Sequence, residues 1–185
     1  MRNNIIVVIV GDSGSGKTTV AKMLHEYYSV PLLSFSSMGK ELSVMKGYSR
    51  LRDFFLNCSK EVFCSELNDY LMKRILAFSE CNSCFIIEGL VSSQIIKKLK
   101  DEFRNIHVVM IRVDKSVRIN RIAARLSCSI EDAMNEDAVK AKIKKALGID
   151  EVTALSDYIV EGNQKESEIF NEFLQYHFFA PAVSA

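Results

Sequence analysis

The sequence predicts an α/β fold with a parallel sheet, on three observations. Apolar runs of strand length alternate with stretches of helical periodicity along the whole chain. The first run, Ile5 to Val10, is apolar at every position and mostly β-branched, as a strand buried on both faces requires. It ends in a glycine turn, after which Val20, Met23, Leu24, Tyr27 and Tyr28 recur at the spacing of one helix face.

The remaining elements follow in order. Pro31 to Phe35 forms a second short strand, opened by a proline where a strand tolerates one. Residues 37 to 58 contain Gly39 and Gly47 and read as a helix with loops. Phe63, Leu67, Tyr70, Leu71, Ile75 and Phe78 mark a longer amphipathic helix. Cys84 to Ile87 is a third strand, closed by Glu88-Gly89. Ile95, Ile96, Leu99 and Phe103 outline another helix, and Ile106 to Val113 a fourth strand. Residues 116 to 126 are helical. Ser129 then caps a helix, with Asp132 three residues on. That helix carries acids early and lysines late (Lys140, Lys142, Lys144, Lys145), and Gly148 caps its end. Tyr158 to Val160 is a final strand and residues 164 to 176 a final helix. Phe178 to Ala185 has no pattern. Without an internal repeat or linker, residues 1–185 read as one domain.

Bulk properties remove several classes of function. At 185 residues, 48% apolar and 25% charged, the composition is that of a globular domain. A net charge of +1 supplies no overall field for nucleic acid or a membrane surface, so any anionic ligand needs a local set of donors. The run Ile5 to Val10 is too short for a signal peptide or a membrane span, and no later stretch is long enough. The five cysteines are odd in number and irregularly spaced, which fits reduced thiols and a cytoplasmic location. Cys81 and Cys84 form a CxxC pair, but a second pair to complete a zinc site is missing.

Gly11-Asp12-Ser13-Gly14-Ser15-Gly16-Lys17-Thr18 matches GxxxxGK[ST] in full, between a buried strand and a helix. The glycines let the backbone turn tightly, so that successive N–H groups point at phosphate oxygens. The helix that follows, with Thr19 in its first turn, adds free N–H groups and the positive end of its dipole. Lys17 can bridge the β- and γ-phosphates of ATP, and the Thr18 hydroxyl can join a Mg²⁺ shell. A GTPase specificity motif of the NKxD kind is missing, and the chain is short for a large ATPase, which favours small-molecule phosphoryl transfer.

A second tier of residues is consistent with that chemistry. Arg118, Arg121 and Arg125 recur at i, i+3 and i+7 beside an apolar stripe, where fixed guanidinium groups could stabilise a moving phosphoryl group. A solvated basic face is the alternative. Glu88 ends the third strand, where parallel sheets collect ligands. It could orient Mg²⁺ through water, accept a proton, or simply shape a turn. Asp12 could reach the acceptor or solvate the loop. Ser36, Ser37, Gly39 and Lys40 could line an acceptor pocket, and Arg50 and Arg52 could clamp an acceptor phosphate.

The order of these elements resembles the P-loop nucleotide kinases, especially the dephospho-CoA kinase and cytidylate kinase-like branch. GDSGSGKTTVAKML looks like that family's P-loop and first helix, and LSFSSMGKEL like the start of its acceptor region. FIIEGL is similar to its third strand, IRVDKSVRINRIAAR to its arginine helix, and ALSDYIVEGNQKESE to its last strand and adenine-side loop. The resemblance implies a P-loop NTPase three-layer sandwich with a five-stranded parallel sheet and a small helical lid. It also implies ATP–Mg²⁺ as donor, an acceptor-binding region near residues 36–80 and a lid near residues 121–140. Lys17 and Thr18 become donor-site residues, and Arg121 and Arg125 lid-side cations. Three regions depart from the family. Ser37 and Lys40 stand where relatives have Asp and Arg, Val91 where they often have arginine, and Asn135-Glu136-Asp137 near an expected lid arginine.

The expected activity is therefore ATP-dependent transfer of the γ-phosphate to a nucleotide-like acceptor of the nucleoside monophosphate type. Dephospho-CoA or another small metabolite is the alternative acceptor, and a nucleotide-binding regulator without catalysis the alternative class. The expected state is a monomer or homodimer, with no nucleic acid or membrane partner.

Overall fold

A computed structural model describes residues 1–179 of the chain. Of the patternless tail, 180–185 lie outside the described residues. The elements run β1 (Arg2–Gly11), α1 (Lys17–Tyr28), β2 (Leu32–Ser34), α2 (Phe35–Met45), α3 (Leu51–Leu56), α4 (Lys60–Cys81), β3 (Cys84–Glu88) and α5 (Ser93–Glu102). They continue with β4 (Phe103–Arg112), α6 (Lys115–Leu126), α7 (Ile130–Ala146), α8 (Ile149–Leu155), β5 (Tyr158–Glu161) and α9 (Glu166–Gln175). The sheet has five strands in the order β2-β3-β1-β4-β5, and each pairing is parallel.

β1 is central, and its side chains divide between two cores. Ile6, Val8 and Val10 face one core, with Phe63, Leu67, Leu71 and Ile75 of α4 and Ile95, Ile96 and Leu99 of α5. Val7 and Ile9 face the other, with Val20, Ala21 and Leu24 of α1 and Ile169 and Phe173 of α9. Helices on both faces explain why β1 is apolar at consecutive positions. The helix pair α6–α7 has its own small core of Ile119, Ile122, Ala123 and Ala133. Among the described residues, no helix is long and apolar enough to cross a membrane.

The five-stranded parallel sandwich is as expected, and the differences from the sequence lie at element ends. Phe35 leaves β2 and begins α2, where its ring is buried. Residues 37 to 58 hold most of α2, then a turn at Gly47, then α3. Phe103 opens β4 instead of closing α5, because its buried ring fixes an extended backbone beside Arg2, 5.9 Å away. The Ser129 cap forms as expected, accepting a hydrogen bond from the Asp132 N–H. Gly148 follows α7 in the left-handed region and at once caps α8, a seven-residue helix that the periodicity does not reveal.

Candidate active site

The five parallel strands bring their carboxyl ends to one edge, and the loop after β1 lies there between β3 and β4. Gly14 has a φ of 80°, in the left-handed region, and its Cα faces the backbone of Arg118 on α6. Gly16, with a φ of 86°, caps α1 without a side-chain hydrogen bond, and the first turn of α1 carries no acid. The first N–H groups of α1 are thus free of side-chain caps, and the positive end of its dipole is not neutralised. Such a terminus is suited to phosphate oxygens.

Two residues that begin α1 meet the end of β3. Thr18 Oγ1 donates to Glu88 Oε1 at 2.8 Å, and Lys17 Nζ lies 4.0 Å from the same carboxylate. Ser34 Oγ, at the end of β2 and in register with Glu88, donates to Glu88 Oε2 at 3.3 Å. Glu88 is buried, with only 4% of its surface exposed. Lys17 Nζ also donates to the Asp12 carbonyl at 3.2 Å. Burial lowers the Lys17 pKa from 10.5 to about 8; Glu88 opposes that shift and the nearby Lys144 adds to it.

The three arginines of α6 share an edge, as their spacing predicts, but they do different things. Arg118 is buried beneath the loop, donating to the Ser13 carbonyl at 3.0 Å and pairing with Asp137 of α7 at 3.2 Å. Arg121 donates to the carbonyls of Gly162 and Gln164, each at 3.0 Å, and reaches that of Gly14 at 3.5 Å. It ties the loop after β5 to the phosphate loop. Arg125 lines the cleft.

That cleft has a cavity of about 350 Å³. Ser13, Lys17, Thr18, Glu88 and Arg125 meet there with Arg50 and Arg52 from the start of α3. Phe35, Leu51, Val91, Val139 and Ile143 supply an apolar wall. Ser36 reaches the cleft, whereas Ser37 and Lys40 are exposed on α2 and do not line it. Thr19 is exposed on α1, outside the lining. Lys140, which pairs with Glu136 at 3.0 Å, and Lys144 reach the cleft from α7. In the sequence these lysines read as helix-end charges. Their i, i+4 spacing was the available signal, and only the packing of α7 against the loop shows where that face points.

Lys144 pairs with Asp12 at 3.1 Å. Burial alone would push the Asp12 carboxyl up, but Lys144, Arg118 and Lys17 together hold it below the usual carboxylate value. Burial lowers the Lys144 ammonium, with Asp12 opposing that shift. Chemically, the arrangement offers a phosphate cradle, a hydroxyl and a carboxylate suited to Mg²⁺, and a cation-rimmed chamber for a second molecule.

The sequence pattern of the family described as an AAA domain matches residues 7–143. A cytidylate kinase of Methanococcoides burtonii is 24% identical over 178 residues, covering 92% of this chain and 95% of that protein. An adenylate kinase of Thermosipho melanesiensis is 28% identical over 131 residues, 66% of this chain and 60% of its own length. Among solved structures, a shikimate kinase from Bacteroides thetaiotaomicron superposes with a TM-score of 0.64 at 14% identity, over 93% of this chain and 97% of the other. That last likeness concerns the fold alone.

Proposed function

The chain belongs to the AAA-domain family, here in its P-loop kinase form, and on that premise we propose an ATP-dependent nucleotide kinase. It transfers the γ-phosphate of ATP to a nucleoside monophosphate. The similarity to cytidylate and adenylate kinases supports this reading.

One observation carries the choice of acceptor. Both carboxylates lining the cleft are already engaged, Glu88 by Thr18 and Ser34 and Glu136 by Lys140. An alcohol acceptor needs a free base for its proton, whereas a phosphate monoester arrives with an ionised oxygen. Arg50 and Arg52 hold that phosphate by charge-assisted hydrogen bonds, and the apolar wall takes the base.

On the donor side the loop amides and Lys17 hold the β- and γ-phosphates, and Arg125 faces the moving group. Thr18 and Glu88 are oxygen donors that fit Mg²⁺, which when bound offsets charge on the two phosphates. Asp12 holds Lys144, and Arg121 holds the loop that flanks the donor seat. Residues 121–140, spanning the end of α6 and most of α7, serve as the lid that excludes water. Free cysteines among the described residues fit a cytoplasmic site of action.

ADP release from ATP–Mg²⁺ against a panel of nucleoside monophosphates, dephospho-CoA and sugars tests the proposal, with Lys17→Ala as control. The expected result is turnover with a monophosphate that the Lys17 variant lacks. Turnover confined to an alcohol acceptor, or ATP binding without turnover on any acceptor, overturns it.

A further inference from the structure

The phosphate cradle receives a cation from a segment that carries no motif. Lys144 lies in the last turn of α7, 132 residues from Asp12 in sequence. Its Nζ is 3.1 Å from Asp12 Oδ1 and 3.3 Å from the Gly11 carbonyl. Lys17 Nζ stands 3.2 Å from the carbonyl of the same Asp12. Two ammonium groups therefore converge on one residue of the loop.

The partners of this pair differ in freedom. The Lys144 side chain is 12% exposed and the Asp12 side chain 53%. The carboxylate can turn outward into water, while the lysine is held against the loop. Arg118 also approaches Asp12, at 3.9 Å, so the carboxylate is shared between two cations. A desolvated ammonium needs an anion, and one half-exposed carboxylate is a replaceable partner. Lys144 also lines the same cleft as Arg50 and Arg52, so it stands where a donor's terminal phosphate would meet the acceptor.

We propose that Lys144 is a phosphate-binding residue of the donor site, specific for the γ-phosphate of a nucleoside triphosphate. Asp12 is the counter-ion that keeps the lysine in place until the phosphate arrives. The ammonium then passes from the carboxylate to the phosphate oxygens. This rests on the reading of the cradle as an ATP site, and it adds a lysine of α7 to the expected donor-site cations Lys17, Arg121 and Arg125. The competing role is a strut that only anchors α7 to the loop.

Equilibrium binding of ATP–Mg²⁺ and ADP–Mg²⁺ separates the two, using the wild type, Lys144→Met, Lys144→Arg and Lys17→Ala, with a melting temperature for each. Lys144→Met is expected to weaken ATP about tenfold or more, the size of one charge-assisted hydrogen bond, and ADP by no more than about twofold. Lys144→Arg is expected to restore the preference for ATP, since it keeps the charge. Equal losses for ATP and ADP, or no loss of either, overturn the proposal in favour of the strut. Nucleotide binding lost in Lys17→Ala marks the cradle reading as sound. A wild type that binds neither nucleotide removes that reading, and the proposal with it.

Discussion

Replacing Gly14 by alanine puts a methyl group where the structure has backbone. The added Cβ would lie 2.6 Å from the Arg118 carbonyl oxygen, 3.1 Å from its Cα and 3.2 Å from its carbonyl carbon. These are main-chain atoms in the first turn of α6, so no rotamer change relieves the contact. The φ of 80° adds a left-handed strain of about 1–2 kcal/mol for any residue with a Cβ. Forcing a methyl group into a packed contact costs about 1–3 kcal/mol more. The sum centres on about 3.5 kcal/mol, and at about 2–4 °C per kcal/mol it lowers the melting temperature by about 7–14 °C. Gly47→Ala is the internal control, with a φ of 81° and nothing within 4 Å of the new methyl group. It bears the conformational part alone, about 1–2 kcal/mol. Thermal unfolding followed by circular dichroism compares the two. A Gly14 variant that melts no lower than the Gly47 variant would refute the claim that α6 rests on the loop.

Nucleotide binding should depend on pH through Lys17. Burial holds its pKa at about 8, and phosphate favours the charged form, so binding above about pH 8 takes up a proton. Affinity for ATP–Mg²⁺ is expected to be flat up to about pH 8, then to fall by up to about tenfold per pH unit; an unchanged Kd to pH 9.5 would contradict it. The same shift acts on stability with the opposite sign. Between about 8 and 10.5 the unfolded chain binds more protons at this site, so Lys17's contribution rises with pH. Arg121→Met withdraws the donor shared by Gly162, Gln164 and Gly14. It should cost about 1–3 kcal/mol of stability and speed hydrogen exchange in residues 162–164, and unchanged melting with lost turnover would make Arg121 a catalytic cation instead.

What the sequence made legible follows from the range of the physics. β1 and the loop after it were readable because a doubly buried strand must be continuously apolar and the cradle must be glycine-rich. The cap at Ser129 is equally local. Phe103 was not, since helical spacing and burial in a strand call for the same apolar residue. Helix α8 escaped because it spans seven residues and buries only Val152, too little for a period to show. At the candidate site, Lys17, Thr18 and Glu88 were proposed from motif and strand end, and they line the same cleft as Arg50, Arg52 and Arg125. Arg118 read as one of three guanidinium groups along a helix edge, facing a phosphoryl group or solvent, because a charge in a sequence carries no sign of its burial against Ser13 and Asp137. Lys144 had no signal of its own beyond helix periodicity, since its position depends on how α7 crosses the loop.

The central place of β1 also bears on how the chain is made. Its partners β3 and β4 come late, and Gly11 at its end pairs with Ile111. A ribosome adding about 5–20 residues per second needs about 5–20 s to supply that hundred-residue interval. Until β3 (Cys84–Glu88) is made, for most of that interval, a β-branched hexapeptide waits without a neighbour, the kind of segment that joins other nascent chains edge to edge. Arg2, Asn3 and Asn4 sit directly before it, a charge and two amides at the open end of the segment. Synthesis rate and chaperone supply should therefore govern the yield of this protein more than the stability of its finished sheet.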